Sequence, residues 1–213
     1  MGLTAKPCGM HYLKTGISMI YLSNVTVRYQ TRLLSLPNIS LAQGDILGLN
    51  GVSGSGKSTV AMLLSGFLAP TSGTVVTPSY DKNKANPVQW VGQHPELSFN
   101  PKWSLLTSLK ESFRQVDFSS HLKSFSIEEE WLSRYPKELS GGQLQRIALL
   151  RALLPTTQYL LCDEITAQLD PITQQFIWEQ LLKFSKEKNI GILVISHDKS
   201  LLYSICNKIV TID

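Results

Sequence analysis

A glycine-rich loop in the first third of the sequence has the residue types and spacing needed to bind phosphate. Gly51–Thr59 matches the pattern G-x-x-x-x-G-K-[ST]. Glycines let successive backbone N–H groups curl around a phosphate, and the N-terminus of a following helix adds partial positive charge. In such a loop Lys57 contacts the β- and γ-phosphates of a nucleotide, and the Ser58 hydroxyl binds Mg²⁺. The phosphate-site residues are therefore Gly51, Ser53, Gly54, Ser55, Gly56, Lys57, Ser58 and Thr59.

The segments that flank the loop have the patterns of a strand and a helix. Ile46–Leu49 is an apolar run typical of a buried strand, and apolar residues recur at helical spacing from Val60 to Phe67. A glycine–serine loop with a chance lysine is the alternative, and it would not need these two flanks. The sequence therefore predicts an α/β fold with a P-loop NTPase core.

Four polar side chains follow apolar segments where strands are predicted to end: Gln93, Asp163, Glu164 and His197. An unpaired carboxylate at the end of a buried strand is costly, so the acidic pair needs a functional reason. Beside a phosphate loop, Asp163 can bind Mg²⁺ and Glu164 can polarise an attacking water. Gln93 could contact Mg²⁺ or a water through its amide oxygen. Because the ends of parallel strands line a ligand crevice, we expect His197 to share one with Lys57 and Asp163.

A second stretch suited to an anion lies at Leu139–Gln143, ahead of an apolar helical pattern that stops at Pro155. Ser140 can cap that helix, and Gly141 and Gly142 would let an anion approach the helix N-terminus. A glycine-rich turn before a core helix is the alternative, and the pentapeptide alone would favour it. The candidate contacts are Ser140, Gly141, Gly142 and Gln143.

The N-terminal part of the chain alternates apolar and polar residues as half-buried strands do. The alternation runs from Ile20 to Tyr29, and a second apolar stretch, Leu33–Leu41, follows a polar turn. Together they predict an antiparallel β layer ahead of the phosphate loop. Tyr29 can either stack on an adenine ring or simply pack against the sheet, and the sequence favours neither role. Residues 1–18 are predicted to be an irregular extension, followed by one domain over residues 19–213.

Helical periodicity replaces the strand patterns after Pro101. Leu105, Leu109 and Phe113 recur on one helical face. The sequence therefore predicts a helical subdomain, at about residues 101–140, inserted into the α/β core.

The composition excludes several classes of protein. The 213 residues, 43% of them hydrophobic, suffice for a core without disulfides or metals. The formal charge of +4 is mild and the basic residues are scattered, so no nucleic-acid partner is predicted. The three cysteines lack metal-binding spacing and are predicted to be reduced. No apolar run reaches the ~18 residues of a membrane span, and the N-terminus does not resemble a signal peptide.

From about Ile20 onward, these motifs together resemble the nucleotide-binding subunit of ABC transporters. In chain order they are the phosphate loop Gly51–Thr59, the glutamine loop at Gln93, the signature Leu139–Gln143, the acidic pair Asp163 and Glu164, the loop Ala167–Asp170 and the switch residue His197. The signature is the most specific, since other P-loop ATPases lack it. The resemblance implies the ABC ATPase fold with ATP and Mg²⁺ as cofactors. It implies catalytic roles for Glu164, His197 and Gln93, metal contacts from Ser58, Gln93 and Asp163, and adenine stacking by Tyr29.

The resemblance also implies partners. ATP on Lys57 and Ser58 would be completed by Ser140 and its glycines from a second ABC ATPase subunit, either the same chain or, as favoured here, a distinct one. The helical subdomain would contact integral membrane permease subunits, which places the protein peripherally at the cytoplasmic face of the membrane. An extracytoplasmic solute-binding protein would take part indirectly.

A narrower resemblance is to importers of oligopeptides, dipeptides and nickel, carried by Val91–Pro95, Ser98–Pro101 and Tyr135–Arg146. It implies a cargo of small peptides, nickel or metal–chelator complexes. The sequence departs from that branch at His94, Phe99 and Ile165.

Two other functions are alternatives to transport. A soluble ABC ATPase acting on DNA or ribosomes usually carries two such domains or a long coiled insertion, and neither is present in this sequence. A regulatory nucleotide-binding module usually lacks the catalytic glutamate or histidine, whereas Glu164 and His197 are both present.

Overall fold

The structure, a computed structural model, describes residues 10–13, 19–30, 32–81, 83–113 and 117–212. Its strands are β1 (Met10–Leu13), β2 (Met19–Tyr29), β3 (Arg32–Ser35), β4 (Ile39–Ala42), β5 (Ile46–Gly51), β6 (Ser72–Pro78), β7 (Val88–Val91), β8 (Tyr159–Asp163), β9 (Gly191–Ile195) and β10 (Lys208–Ile212). Its helices are α1 (Lys57–Ser65), α2 (Leu105–Phe113), α3 (Ser119–Ser124), α4 (Gly141–Ala152), α5 (Pro171–Lys188) and α6 (Lys199–Ile205), with 3₁₀ turns at Pro95–Ser98, Glu129–Ser133 and Pro136–Glu138.

A parallel sheet positions the candidate site. Its strand order is β10–β5–β9–β8–β7, and each neighbouring pair is parallel. The register pairs Cys162 of β8 with Val91 of β7 and with Val194 of β9, so these three strands end at the same edge. The phosphate loop leaves β5 at this edge too, as expected for a ligand crevice at the carboxyl ends of parallel strands.

A second, mainly antiparallel sheet is formed by strands that precede the phosphate loop, as predicted, together with β6, which follows α1. Strand β2 is its longest member and pairs antiparallel with β3, β4 and β6. The apolar stretch Leu33–Leu41 forms two strands rather than one. Its centre contains Pro37, which has no N–H to donate to a ladder, and β3 and β4 on either side pair with opposite halves of β2.

Strand β1 lies within the segment predicted to be irregular. It pairs in parallel with β6, from Met10 opposite Val75 to Leu13 opposite Pro78. The prediction of an irregular extension over residues 1–18 is therefore wrong at Met10–Leu13. A four-residue strand held by a distant partner has no local periodicity that sequence reasoning could find. Residues 1–9 and 14–18 lie outside the described part of the chain.

Two apolar cores lie on opposite faces of the parallel sheet. Successive residues of β8 enter different cores because side chains alternate along a strand. Leu161 packs with residues of β2 and α1, whereas Leu160 and Cys162 pack with residues of α4 and α5. Burial raises the pKa of the Cys162 thiol, and the nearby Asp163 charge raises it further. Cys162 is thus a core residue, as predicted, rather than a reactive one.

Helices α2 and α3 and the 3₁₀ turns that follow occupy the segment predicted to be an inserted subdomain. Leu105 and Leu109 of α2 are buried, as their helical periodicity predicts, and belong to the same core as Ile147 of α4. The helical segment is therefore packed against α4, while its description as a subdomain stays a prediction. None of the helices in the described residues is long and apolar enough to cross a membrane.

Candidate nucleotide-binding site

Two glycines shape the phosphate loop between β5 and α1. A Cβ on Gly51 would overlap the backbone carbonyl oxygen of Ile212 on the neighbouring strand β10. Gly56 precedes α1 with a φ of +106°, and a Cβ there would lie 2.8 Å from a methyl group of Leu34. Strand β3 therefore lies against the loop, and a side chain at Gly56 would both strain the backbone and collide with that strand.

The Lys57 side chain folds back over the loop and is buried, at 6% exposure. Its Nζ donates hydrogen bonds to the carbonyl oxygens of Gly51 and Val52, at 2.8 and 2.9 Å. An ammonium has three donors, so these two bonds leave one for an anionic ligand. The loop thus holds a buried cation at the position where the sequence predicts phosphates.

Ser58 and Asp163 lie together at the edge of the site. The Asp163 carboxylate accepts a hydrogen bond from the Ser58 hydroxyl and is 7% exposed. Burial raises the pKa of Asp163 above its usual value, and the nearby Glu164 raises it further. The hydrogen bond from Ser58 and the nearby Lys57 and His197 act in the opposite direction and lower this pKa. A cation bound here would offset the cost of the buried charge. A carboxylate and a hydroxyl are oxygen ligands of the kind Mg²⁺ prefers, so the donor set fits that ion.

Glu164 has a left-handed backbone, with a φ of +53°. Such a conformation is unfavourable for a residue other than glycine and persists only where the surroundings impose it. Here the Glu164 N–H donates to the carbonyl oxygen of Ile195 at 3.0 Å. Its carboxylate lies 2.8 Å from Nε2 of His197, and the two side chains are 17% and 50% exposed. The ends of β8 and β9 thereby fix a carboxylate–imidazole pair beside the phosphate loop.

A cavity of about 380 Å³ lies between this pair and the loop. It is lined by Tyr29, Arg32, Leu34, Ser53, Gly54, Gly56, Lys57, Ser58, Thr59, Gln93, Glu164 and His197. Ser58 and Gln93 also line a neighbouring groove of about 590 Å³, as does Asp163. The structure therefore brings most of the predicted phosphate and catalytic residues around one space.

The hairpin of β2 and β3 forms one wall of the cavity. Tyr29 is 43% exposed, and its hydroxyl lies 3.1 Å from the hydroxyl of Thr59 on α1. This contact holds the ring beside the cavity, and its stacking on adenine stays a prediction. Sequence reasoning missed Arg32 and Leu34, which line the same wall. Their alternate spacing along one strand was the available signal, but it does not show that β3 lies over the loop.

The remaining predicted contacts lie away from the cavity. Ser55 is buried, and its hydroxyl has no hydrogen-bond partner among the described residues. Ser140 caps α4 as predicted: its Oγ accepts from the Gln143 N–H at 3.3 Å, and Gln143 Oε1 accepts from the Ser140 N–H at 3.0 Å. The signature residues Ser140, Gly141, Gly142 and Gln143 do not line the cavity of their own chain.

Comparisons with known proteins identify the family to which the chain is similar. The ABC transporter family model matches residues 34–167. A nickel import system ATP-binding protein, NikE of Staphylococcus aureus, is 37% identical over 208 residues, which cover 91% of this chain and 86% of NikE.

Two solved structures share the fold. The structure of an ABC transporter ATP-binding subunit aligns with a TM-score of 0.80 at 20% identity, over 91% of this chain and 85% of that one. A dimeric bacterial ABC transporter cassette aligns with a TM-score of 0.75 at 25% identity, over 91% of this chain and 94% of that one. The predicted fold class, a P-loop core with an antiparallel β layer and helices, is confirmed.

Proposed function

This chain belongs to the ABC transporter family as an ATP-binding ATPase subunit, and we propose that it powers the import of nickel, a metal–chelator complex or small peptides. The observation that supports ATP hydrolysis as the source of energy is that Lys57, Ser58 and the Glu164–His197 pair line one cavity. The cargo is supported by the similarity to NikE and by the branch-like residues from Val91 to Pro101.

In the proposed mechanism the phosphate loop holds the triphosphate of ATP. The backbone N–H groups of the loop and the N-terminus of α1 bind the phosphate oxygens, and Lys57 contacts the β- and γ-phosphates. Ser58 and Asp163 would hold Mg²⁺, with Gln93 next to them. Bound there, the ion would supply positive charge that neutralises the negative charge developing on the phosphates during hydrolysis.

Hydrolysis requires a water aligned with the γ-phosphorus. Glu164 accepts a hydrogen bond from that water and takes its proton as the oxygen attacks, while the bond to the β-phosphate oxygen breaks and ADP leaves. His197 orients the Glu164 carboxylate through the 2.8 Å contact. The imposed backbone of Glu164 limits the directions in which that carboxylate can point.

A second ATPase subunit completes the proposed site. The signature of this chain lies outside its own cavity, so Ser140 and the adjacent helix N-terminus are available to the ATP of another subunit. Closure of the two subunits would exclude water and position the catalytic groups. We propose a distinct companion chain, as the resembled branch suggests.

A permease is the proposed membrane partner, and the protein acts at the cytoplasmic face of the membrane. The groove of about 590 Å³ beside Gln93 is the surface we assign to it. Its rim carries two exposed apolar side chains, Phe67 at 76% and Leu97 at 82% exposure. Movement of a permease segment in this groove would displace Gln93, which also lines the ATP cavity.

Uptake measurements test the cargo. We expect deletion of this subunit to abolish ATP-dependent uptake of nickel, supplied alone or with a chelator, or of labelled dipeptides, and re-expression to restore it. Cells that express the Glu164→Gln variant are the matched control, since they contain the subunit without turnover. The cargo proposal fails if uptake of nickel and of dipeptides is unchanged while that of a sugar or an amino acid is lost.

Arg32→Ala is expected to weaken MgATP binding by about three- to tenfold, roughly 0.7–1.4 kcal/mol. Arg32 lines the cavity on the same side of β3 as Leu34, which faces Gly56 of the phosphate loop. A guanidinium there can donate to phosphate or ribose oxygens, with the effect reduced by solvent exposure. Arg28→Ala is the control, because Arg28 is exposed on the neighbouring strand outside the cavity. Equal affinities of the two variants in an ATP titration would contradict the assignment.

A further inference from the structure

Arg151, in the last turn of α4, joins this helix to two other segments of the chain. Its Nε donates to the Ser112 hydroxyl of α2 at 2.9 Å, and its Nη2 lies 3.3 Å from a carboxylate oxygen of Glu111. Its Nη1 donates to the backbone carbonyl oxygen of Ser98, and its guanidinium lies 5.6 Å from the ring centroid of Phe99. The side chain is 29% exposed. A planar guanidinium can satisfy these partners together, whereas a lysine ammonium cannot reproduce the same fork.

One of these segments leads directly to the ATP cavity. Ser98 ends the 3₁₀ turn Pro95–Ser98, and the Leu97 N–H in that turn donates to the carbonyl oxygen of His94 at 3.1 Å. Gln93, the preceding residue, lines the cavity. Arg151 itself lines the groove that we assign to the permease, together with Gln93 and His94. A change in the position of Arg151 would therefore alter both the groove and, through Gln93, the cavity.

Helix α4 connects the same arginine to the signature. Ser140 caps the first turn of this helix, and Arg151 lies in its last turn. With a rise of 1.5 Å per residue, the two residues are about 16 Å apart along one rigid element. In the proposed function, Ser140 contacts the ATP that is bound to the companion subunit, whereas Gln93 lines the site of the ATP that is bound to this chain. Through α4 and through its contact with Ser98, Arg151 therefore links a residue of one ATP site, Ser140, to the segment that holds a residue of the other, Gln93.

We infer that Arg151 is a positioning residue that couples the signature helix α4 to the Gln93 segment, so that closure on one ATP site places Gln93 in the other. This inference rests on the proposed function. Arg151 contacts neither ATP nor water in this scheme. Its loss therefore lowers the turnover number and leaves the affinity for MgATP in place.

The test uses the native complex, purified through a tag on this chain. We expect Arg151→Lys and Arg151→Ala each to lower kcat by about tenfold or more, the scale expected when catalytic groups are misplaced. The Kd for MgATP should stay within twofold of wild type. Arg134→Lys is the matched control, because Arg134 also pairs with an acidic side chain, Glu130 at 3.5 Å, and does not line the groove.

A second variant covers the case in which Arg151 variants fold poorly. Ser112→Ala removes the Nε acceptor and leaves the arginine in place, so it should lower kcat in the same direction. Ser112→Ala combined with Arg151→Lys should be no slower than Arg151→Lys alone, because both changes break one coupling. Wild-type kcat in Ser112→Ala and in a folded Arg151→Lys would overturn the inference, as would parallel loss of MgATP affinity. Glu164→Gln in the same complex tests the proposed function separately.

Discussion

Glu164→Gln is expected to lower ATP turnover by about 10²-fold or more while ATP binding is retained. The substitution keeps the size of the side chain and removes the charge needed to take a proton from water. Because an amide can still hydrogen-bond to His197, the 2.8 Å contact at the ends of β8 and β9 can persist. ATP affinity, turnover and the fraction of closed subunit pairs should be measured in the complex, where the ATP-bound pair should accumulate.

Asp163→Asn provides the companion measurement. We assign Asp163 to Mg²⁺, so its loss should weaken the magnesium-dependent part of ATP binding rather than the proton-transfer step. Burial raises the pKa of this carboxyl in the free protein, so removing the charge should also raise the melting temperature without ligand. If Glu164→Gln hydrolyses ATP like the wild type, the catalytic role assigned to Glu164 is wrong.

Lys57→Ala should reduce MgATP affinity by about tenfold or more, in line with the loss of a charge-assisted hydrogen bond of roughly 1.5–3 kcal/mol. The side chain is the buried cation of the phosphate loop. Its ammonium already donates to Gly51 and Val52 there, so part of the loss will come from a less ordered loop. Titration with MgATP measures the affinity, and thermal unfolding without nucleotide measures the contribution of the two carbonyl contacts.

A surface lysine supplies the control for this substitution. Lys183→Ala removes a lysine that is 66% exposed and lies at the outer limit of an ion pair with Glu187, at 4.0 Å. Such a pair contributes about 0–1 kcal/mol, so this variant should bind and hydrolyse ATP normally. Unchanged affinity and turnover in Lys57→Ala would show that Gly51–Thr59 is not the phosphate site.

Local sequence patterns were sufficient to predict the two strands and the helix that adjoin the site. The strand before Gly51, the helix after Gly56 and the strand ending at Asp163 each leave a signal within a short window of sequence. Apolar periodicity reports the face that a segment buries, and glycine reports a backbone that other residues cannot adopt. Such signals fail for β1, whose hydrogen-bond partner lies more than 60 residues away in β6.

The sequence by itself determined the phosphate loop, the acidic strand end and the capped signature helix, because each is a property of neighbouring residues. The tertiary structure decided which distant groups meet. Only the order and register of the parallel strands bring Glu164 to within 2.8 Å of His197, and only the position of β3 adds Arg32 to the cavity. Likewise, only the packing of α2 and α4 around the Gln93 segment gives Arg151 its partners. These contacts depend on strand pairing and helix packing over long separations, for which a single sequence has no local signal.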